Sequence, residues 1–253
     1  MSAPRLERSI DRWWGERLHA GIAAPNRSID EAAKAMDERL WAEARIGTTD
    51  RMLEVGCGRG ALCRDKRAEG FEVIGTDRDA WRGPPVVART ECLPFQDRTF
   101  DVVGTDKDVW RGPPIAARTE RLPFRDRSFD AVLAQETLIY CHPIGAALVE
   151  IHRVLKPGGR LCFGEFLAGE HQTLFQAATG GGEAAWRARL EASGLQLRVL
   201  CDLSETAAQF YGALLARVPA IEPVWRQNLV ERIALLRSGA IRRVIGVAWK
   251  RDA

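Results

Sequence analysis

The chain has 253 residues, of which 46% are hydrophobic and 28% charged, as in an ordinary globular protein. This composition excludes a disordered, collagen-like or coiled-coil chain, and the length suffices for a substantial core. The net charge of +3 is spread without a block of like charges, so it gives no support to a dedicated nucleic-acid or polybasic membrane binder. No apolar stretch approaches the roughly 20 residues of a membrane helix, and the first residues lack an apolar secretion core. We therefore expect a cytoplasmic protein.

The cysteines form no recognisable metal-binding pattern. None of the six has a partner at C-x-x-C spacing, and the nearest pair, Cys57 and Cys63, is six residues apart. A structural zinc site needs clustered ligands. We therefore expect no metal, and thiols that are reduced and mostly buried as small apolar side chains.

The N-terminal region predicts an amphipathic helix. Ser28 and Glu31 have the spacing of a capping box. Apolar residues then recur at spacings of three and four, which is typical of one helical face. These residues are Ile29, Ala33, Met36, Leu40 and Ala44.

From residue 51 onward, predicted strands alternate with predicted helices, which indicates an α/β domain with a mostly parallel sheet. The strands are predicted at 51–55, 71–77, 129–134, 160–165, 195–200 and 242–249. The helices are predicted at 61–69, about 144–155, 183–193, 205–217 and 222–237. Such a sheet binds ligands beyond the carboxyl ends of its strands, where the strand order switches. We expect the helices within 203–240 to form a cap over that site.

Residues 75–103 and 104–132 form a tandem duplication in which 21 of 29 positions are identical. Repeat arrays generally need three or more units to bury a core, so two copies inside an α/β domain indicate a local duplication. One copy must therefore take the ordinary place in the sheet, and the other must be an insertion, an extra strand pair or a swapped element.

The position of each copy relative to the neighbouring segments predicts its role in the sheet. Asp77 of the first copy follows the glycine-rich segment after one short helix, whereas Asp106 does so only across an insertion. The segment Leu122–Phe124 of the second copy leads into the next strand and helix. We therefore assign the acid to Asp77 and the segment before the next strand to the second copy, with an insertion of about 29 residues within 78–121.

The segment 53–60, LEVGCGRG, places three glycines directly after a strand. Glycines there let the backbone approach a ligand and point N–H groups at it. The spacing differs from the G-x-G-x-x-G of dinucleotide folds, and Glu54 suits a cationic ammonium group better than a phosphate. Asp77 is placed to accept hydrogen bonds from a ribose diol. A ligand with a ribose and a cationic amino-acid tail is S-adenosylmethionine.

Four sequence blocks in order carry a family resemblance. They are LEVGCGRG at 53–60, GTD ending at Asp77, ERLPFRDRSFDAVL at 120–133 and RVLKPGGRL at 153–161. Together they resemble the class I S-adenosylmethionine-dependent methyltransferases of the small-molecule, type 11-like group, over about residues 48–166. The resemblance implies a Rossmann-like, seven-stranded, mostly parallel sheet flanked by helices, with S-adenosyl-L-methionine as the cofactor.

The resemblance also implies roles for individual residues at the cofactor. Gly56, Gly58 and Gly60 would line its methionine part, and Asp77 would bind the ribose hydroxyls. The positions that would flank the adenine or lie near the centre of the ligand are Glu120, Arg121, Leu122 and Gln135. The doubled segment departs from the family pattern and affects the adenine contacts more than the glycine loop.

The aromatic segment 11–21, DRWWGERLHAG, is similar to the N-terminal lid of tocopherol-type and sarcosine-type methyltransferases. This similarity implies a helical lid over residues 1–47 in front of a methyltransferase domain over 48–253. It also implies that Trp14 and His19 face the site.

The mechanism expected from this resemblance is an in-line displacement, in which positioning supplies much of the acceleration. A general base helps only if the acceptor loses a proton early, so no fixed catalytic residue is required. The candidates for a base are His19 and His142. The candidates for contact with the substrate are Trp14, Tyr140 and Tyr211, and aromatic side chains there would favour an apolar or aromatic acceptor, or a cationic amine.

The expected function is methyl transfer to an oxygen, nitrogen or carbon atom of a small molecule, without a nucleic-acid or membrane partner. The main alternative is a catalytically silent cofactor-binding or scaffold protein. Residues Ala134–Thr137 read AQET, unlike the N/D-P-P-Y/F of DNA amino-methylating enzymes, and the glycine spacing with Glu54 disfavours a nicotinamide oxidoreductase. The duplication allows a homodimer with exchanged strands.

Overall fold

The protein is described by a computed structural model that covers residues 16, 17, 19–77, 115–169, 180–217 and 221–251. Trp14 and Asp106 lie outside the described residues, as does most of the predicted insertion. Within these ranges, no helix is both long enough and apolar enough to span a membrane.

The helices and strands alternate as the sequence predicts. The helices are α1 Ile29–Ala44, α2 Ala61–Ala68, α3 Ile144–Val154, α4 Glu183–Ala192, α5 Ser204–Arg217 and α6 Pro223–Arg237. The strands are β1 Arg51–Val55, β2 Glu72–Asp77, β3 Ile115–Ala116, β4 Phe129–Gln135, β5 Leu155–Ala168, β6 Leu195–Asp202 and β7 Ile241–Lys250. A 3₁₀ turn, Leu138–Tyr140, connects β4 to α3.

These strands form one sheet in the order β3-β2-β1-β4-β5-β7-β6. Strand β3 contributes only two residues, and the other six strands have five or more. The pairs from β3 to β5 are parallel, whereas β7 runs antiparallel to both β5 and β6. Strands β2 and β3 follow β1 on one side, and β4 and β5 follow on the other side. The strand order therefore switches between β1 and β4, and the crevice for a ligand lies at the carboxyl ends of these two strands.

The two copies of the duplication contribute to different strands, as predicted. Gly75–Asp77 of the first copy ends β2, which pairs with β1. The second copy supplies the start of β4, which pairs with the other side of β1. The described residues of the first copy thus lie on one side of β1, whereas the second copy contributes to both sides, through β3 next to β2 and through β4.

Helix α1 forms a layer of the core on one face of the sheet. Its capping box is present, since the Ser28 hydroxyl accepts from the Glu31 backbone and the Glu31 carboxylate accepts from the Ser28 backbone. Met36 and Leu40 are fully buried and pack with residues of β1, β4, β5 and β7. Helix α1, which lies within the predicted lid region, is thus part of the hydrophobic core.

The opposite face is covered by α3 and α4. The apolar stripe of α3, including Leu148 and Ile151, is fully buried against the sheet, and Trp186 of α4 stacks on Phe163 at a centroid distance of 5.5 Å. Helices α5 and α6 pack on each other and on residues from α1 and β5 in a separate apolar cluster, beside the carboxyl end of β5. This cluster is hereafter called the cap cluster.

Strand β5 begins earlier than the predicted range of 160–165. Leu155 already pairs with Phe129, and the register then shifts before Ala131 pairs with Arg160. The extra residues include Gly158, whose φ of +69° suits a local irregularity in a strand. The Pro-Gly-Gly segment, which lies between the predicted helix and the predicted strand, is therefore an irregular start to the strand.

Candidate active site

The turn between β1 and α2 is built on glycine conformations. Gly56, Gly58 and Gly60 have φ values of +67°, +51° and +70°, in the left-handed region that side chains with a Cβ rarely adopt. A Cβ on Gly56 would also lie 2.1 Å from the Thr137 hydroxyl, so this glycine allows the turn after β4 to pack on the loop. The backbone geometry of this turn therefore requires the alternating glycines that the sequence contains.

Asp77 closes this loop from the neighbouring strand. Its Oδ2 accepts a hydrogen bond from the Gly58 backbone N–H at 2.8 Å, and the Cys57 N–H donates to the Thr76 carbonyl at 3.0 Å. These bonds tie the end of β2 to the glycine turn. The carboxylate predicted to bind a ribose thus stands beside the predicted methionine-binding loop.

Glu54 lies beneath the loop and is buried. Its Oε2 accepts a hydrogen bond from the Cys63 thiol at 2.9 Å. Burial, with a contribution from Cys63, raises the pKa of Glu54 well above its ordinary value. The carboxyl group predicted to face an ammonium group therefore faces a thiol here and favours its neutral form.

The residues predicted to flank the adenine precede β4. Leu122 is a core residue, and its backbone N–H donates to Glu150 at 2.9 Å. Arg121 is exposed. Glu120 accepts a hydrogen bond from the His142 backbone N–H at 3.2 Å. Of these side chains, only those of Glu120 and Arg121 are open to solvent.

Gln135, predicted to lie near the centre of the ligand, is the last residue of β4. Its Nε2 lies 3.4 Å from Asp37 Oδ1, while its buried Oε1 has no hydrogen-bond partner within the described ranges. A buried acceptor without a partner marks a place where a ligand or water is needed.

His19 is buried and positioned by Asp37. Its Nε2 lies 2.9 Å from Asp37 Oδ1, and its Nδ1 lies 3.1 Å from the Ala20 carbonyl. Burial alone would lower the pKa of His19, but the Asp37 carboxylate outweighs it and raises the pKa above its ordinary value. With both ring nitrogens engaged, this histidine holds the N-terminal segment in place.

Arg17 joins the same network. Its Nε donates to Asp37 Oδ2 at 2.7 Å, its Nη1 to Asp30, and its Nη2 to Asp65 in α2. The guanidinium side chain is only 6% exposed. Asp37 therefore binds two basic residues, Arg17 and His19, from the segment before α1. This network lies directly beside the ligand crevice.

The other candidates after β4 lie at the surface. Tyr140 is 67% exposed, and His142 is also exposed. Both are on the short connection between β4 and α3. The structure thus places them at the rim, apart from the buried network around Asp37.

Tyr211 lies inside the cap cluster and is fully buried. Its ring meets Phe210 edge-on at 5.6 Å, and its hydroxyl accepts a hydrogen bond from Arg232 Nη1 at 3.3 Å. Burial raises the pKa of Tyr211 far above its ordinary value, so the phenol is neutral.

Sequence analysis missed a charged group beside the cap cluster. Glu136 Oε1 accepts from the Ala20 backbone N–H at 3.0 Å and lies 3.3 Å from Arg243 Nε. Glu165 accepts from the backbone N–H groups of Thr137 and Leu138 at 2.8 and 2.7 Å. Charged residues inside otherwise apolar strands were the available signal for Glu165 and Arg243.

The carboxyl ends of β1, β2 and β4 thus combine a glycine cradle, an acidic residue and an amide oxygen that has no hydrogen-bond partner among the described residues. The cap cluster and its charged group adjoin them. These groups suit a nucleoside-bearing ligand on one side of the site and an acceptor on the other.

A family model and several solved structures are similar to this chain. A family model described as a methyltransferase domain matches residues 105–163. This match begins in the second copy of the duplication and ends within β5.

Similar solved structures cover nearly the whole chain. A proposed sarcosine dimethylglycine methyltransferase from Galdieria sulphuraria has a TM-score of 0.73 at 18% identity, over 97% of this chain and 98% of that one. Geranyl diphosphate C-methyltransferase from Streptomyces coelicolor A3(2) has a TM-score of 0.68 at 18% identity, over 99% and 100%. The [4+2]-cyclase SpnF has a TM-score of 0.68 at 20% identity, over 99% and 92%. At these identities the likeness establishes the fold. The chain therefore shares the α/β fold of these proteins, and its residues 105–163 are similar to a methyltransferase domain.

Proposed function

We propose that the protein binds S-adenosylmethionine in the crevice between β1 and β4 and methylates a small molecule held beneath the cap cluster. The observation that carries this proposal is the glycine turn with three positive φ angles, hydrogen-bonded to Asp77 at the switch in strand order. Structural neighbours crystallised with S-adenosylmethionine or S-adenosylhomocysteine support the choice of cofactor.

The residues of the crevice suit this cofactor. Gly56, Gly58 and Gly60 leave space for the methionine part, and Asp77 offers a carboxylate for the ribose diol. Gln135 Oε1, which has no hydrogen-bond partner in the described part of the chain, offers an acceptor for an N–H group. When bound, S-adenosylmethionine would supply an electrophilic methyl group that the acceptor attacks in line, with S-adenosylhomocysteine as the leaving group.

Glu54 would interact with the methionine part of the cofactor from below the loop. Its carboxyl group accepts a hydrogen bond from Cys63, and a nearby cationic ammonium group would favour its ionised form. Glu120 and Arg121 would flank the adenine with their side chains, and Leu122 with its backbone.

The N-terminal segment and the cap cluster would hold the acceptor and exclude water. His19 acts here as a positioning residue, because its ring joins Asp37 to the segment before α1. Tyr211 and the aromatic side chains around it give the acceptor site an apolar wall. Tyr140, at the rim, would contact the acceptor as it enters, and His142 remains a predicted base on the same rim.

The test is a transfer assay with S-adenosylmethionine labelled in the methyl group and a panel of phenols, amines, thiols and carbon acids. Label in a small-molecule product is the expected result. The alternative of a silent cofactor-binding protein predicts calorimetric binding of S-adenosylhomocysteine with no transfer to any member of the panel. A cyclase among the structural neighbours shows why turnover has to be measured directly.

Several expectations from the sequence stay predictions. They are the closing of residues 1–47 as a lid, the cytoplasmic location, the absence of nucleic-acid and membrane partners, and the homodimer with exchanged strands.

A further inference from the structure

Two guanidinium groups flank one aromatic ring next to the cap cluster. The guanidinium carbon of Arg232 lies 5.3 Å from the centroid of Phe166, and that of Arg243 lies 5.5 Å from the same centroid. Arg232 comes from α6, Phe166 from the end of β5, and Arg243 from β7. The fold therefore places two cations from distant parts of the sequence around one ring of the cap cluster.

The nearby acidic groups do not balance these two cations. Glu136 is the carboxylate that faces both: it lies 3.3 Å from Arg243 Nε and attracts Arg232 at longer range. Glu165 is fully buried, and burial raises its pKa to about 8, so it is mostly neutral at pH 7. Tyr140 and Tyr211, the other titratable groups near Arg232, are uncharged phenols whose pKa values are raised. Among the described residues, one negative charge thus faces two positive charges.

The donor atoms are also incompletely used. Arg243 is fully buried, and its Nη1 donates to the Val244 and Glu165 carbonyls, yet its Nη2 has no hydrogen-bond partner in the part of the chain that is described. Within the same ranges, Arg232 forms a hydrogen bond only to the Tyr211 hydroxyl and no ion pair within 4 Å. A buried cation without a matching anion costs several kcal/mol, so such a group normally has a partner.

We propose that Arg232 and Arg243 bind an oxyanion, a carboxylate or a phosphate, on the methyl acceptor. This inference rests on the proposed function, because it places the acceptor between the cofactor crevice and the cap cluster. Guanidinium groups pair with planar or tetrahedral oxyanions through parallel N–H donors. Phe166 and Tyr211 supply an apolar wall against which the carbon skeleton next to the anion packs. An oxyanion there would restore the charge balance and use the open donor of Arg243.

The site is tested by calorimetric titration of the whole protein with benzoate, with inorganic phosphate and with benzamide, the uncharged counterpart of benzoate. Each titration is run with and without saturating S-adenosylhomocysteine. We expect benzoate or phosphate to bind and benzamide to bind at least tenfold more weakly, since hydrogen bonds to charged groups contribute about 1.5–3 kcal/mol. Preference for benzoate identifies a carboxylate, and preference for phosphate a phosphate ester. Equal binding of benzoate and benzamide, without phosphate binding, overturns the proposal.

Variants of helix α6 provide the second measurement. Arg232→Gln should weaken binding of the preferred anion by about tenfold to a hundredfold, and Arg232→Lys by less, because it keeps the charge but not the fork of donors. Arg237→Gln is the matched control: it removes the same charge from an exposed position of the same helix, and affinity should not change. Undiminished anion binding by Arg232→Gln, or an equal loss in the control, contradicts the assignment.

These outcomes separate this inference from the proposed function. Binding of S-adenosylhomocysteine without a preference for anions would contradict the oxyanion site alone. Binding of benzoate or phosphate without any binding of S-adenosylhomocysteine would contradict the proposed cofactor site.

Discussion

The two sides of the proposed active site are built in different ways. On the cofactor side, the loop between β1 and α2 gets its shape from backbone angles at three glycines and one carboxylate bond from Asp77. On the acceptor side, the shape comes from charged side chains that converge from distant segments, such as Arg17, Glu136 and Arg243. The first side depends on local sequence, whereas the second depends on tertiary packing.

This difference leads to different sensitivities. A change in the glycine loop acts on the backbone that receives the cofactor, whereas a change in the side-chain network leaves a buried charge without its partner. The following substitutions test this contrast, beginning with the largest expected effect.

The largest expected effect comes from Asp37→Asn, which breaks the network of the N-terminal segment. The buried Arg17 would lose a carboxylate partner at 2.7 Å, and loss of one member of a buried ion pair costs about 3–5 kcal/mol. Urea unfolding measures the change. The exposed pair between Glu191 and Arg251 provides the control, since Glu191→Gln should change the free energy of unfolding by less than about 1 kcal/mol. Equal effects of the two variants would show that the network does not stabilise this side.

Next in size is Gly56→Ala on the cofactor side. The new Cβ would meet Thr137 at 2.1–2.7 Å in a backbone with φ of +67°. Overpacking costs about 1–3 kcal/mol, and loop displacement should weaken binding of S-adenosylhomocysteine at least about tenfold. Gly47→Ala is the control, because a Cβ there has no neighbour within 4 Å and no positive φ. Wild-type affinity in Gly56→Ala would contradict the role of the loop.

A smaller, pH-dependent effect is expected for Glu165→Gln. Burial raises the pKa of Glu165 from its ordinary 4.5 to about 8, so the folded state retains a proton that the unfolded state loses. The stability from this proton is full below pH 4.5 and is lost as the pH rises to about 8. Glutamine keeps an oxygen for the Thr137 and Leu138 N–H groups but cannot ionise. Its stability relative to wild type should therefore increase between pH 4.5 and 8; a constant difference across this range in urea unfolding would refute the assignment.

The smallest effect is expected for Tyr211→Phe. This change removes a hydroxyl that accepts one hydrogen bond, at 3.3 Å, from Arg232 and leaves the buried ring in place. The free energy of unfolding should fall by about 1 kcal/mol. Thermal or urea unfolding detects it, and a loss of several kcal/mol would mean that the hydroxyl organises the cap cluster.

Much of the fold could be predicted because the decisive signals are local. The capping box at Ser28 and Glu31, the alternating glycines and the strand ending at Asp77 each lie within a short stretch of sequence. The contributions of the two duplicated copies to β2 and β4 followed from chain order. The irregular start of β5 was missed, because it depends on the register with Phe129.

The acceptor side could not be predicted to the same extent. Asp37 reads as a polar position on an amphipathic helix, and its contact with Arg17 and His19 appears only when the segment before α1 folds back. The meeting of Arg232 and Arg243 over Phe166 likewise requires the order of α6, β5 and β7. No spacing in the sequence records such a convergence.

The central claim is that the cofactor lies on the glycine turn with its ribose at Asp77, and calorimetric titration with S-adenosylhomocysteine tests it most directly. The wild-type protein should bind one equivalent, and Asp77→Ala should bind at least about tenfold more weakly, whereas the exposed Asp126→Ala should bind like wild type. Absence of binding by the wild type, or undiminished affinity of Asp77→Ala, would contradict the account.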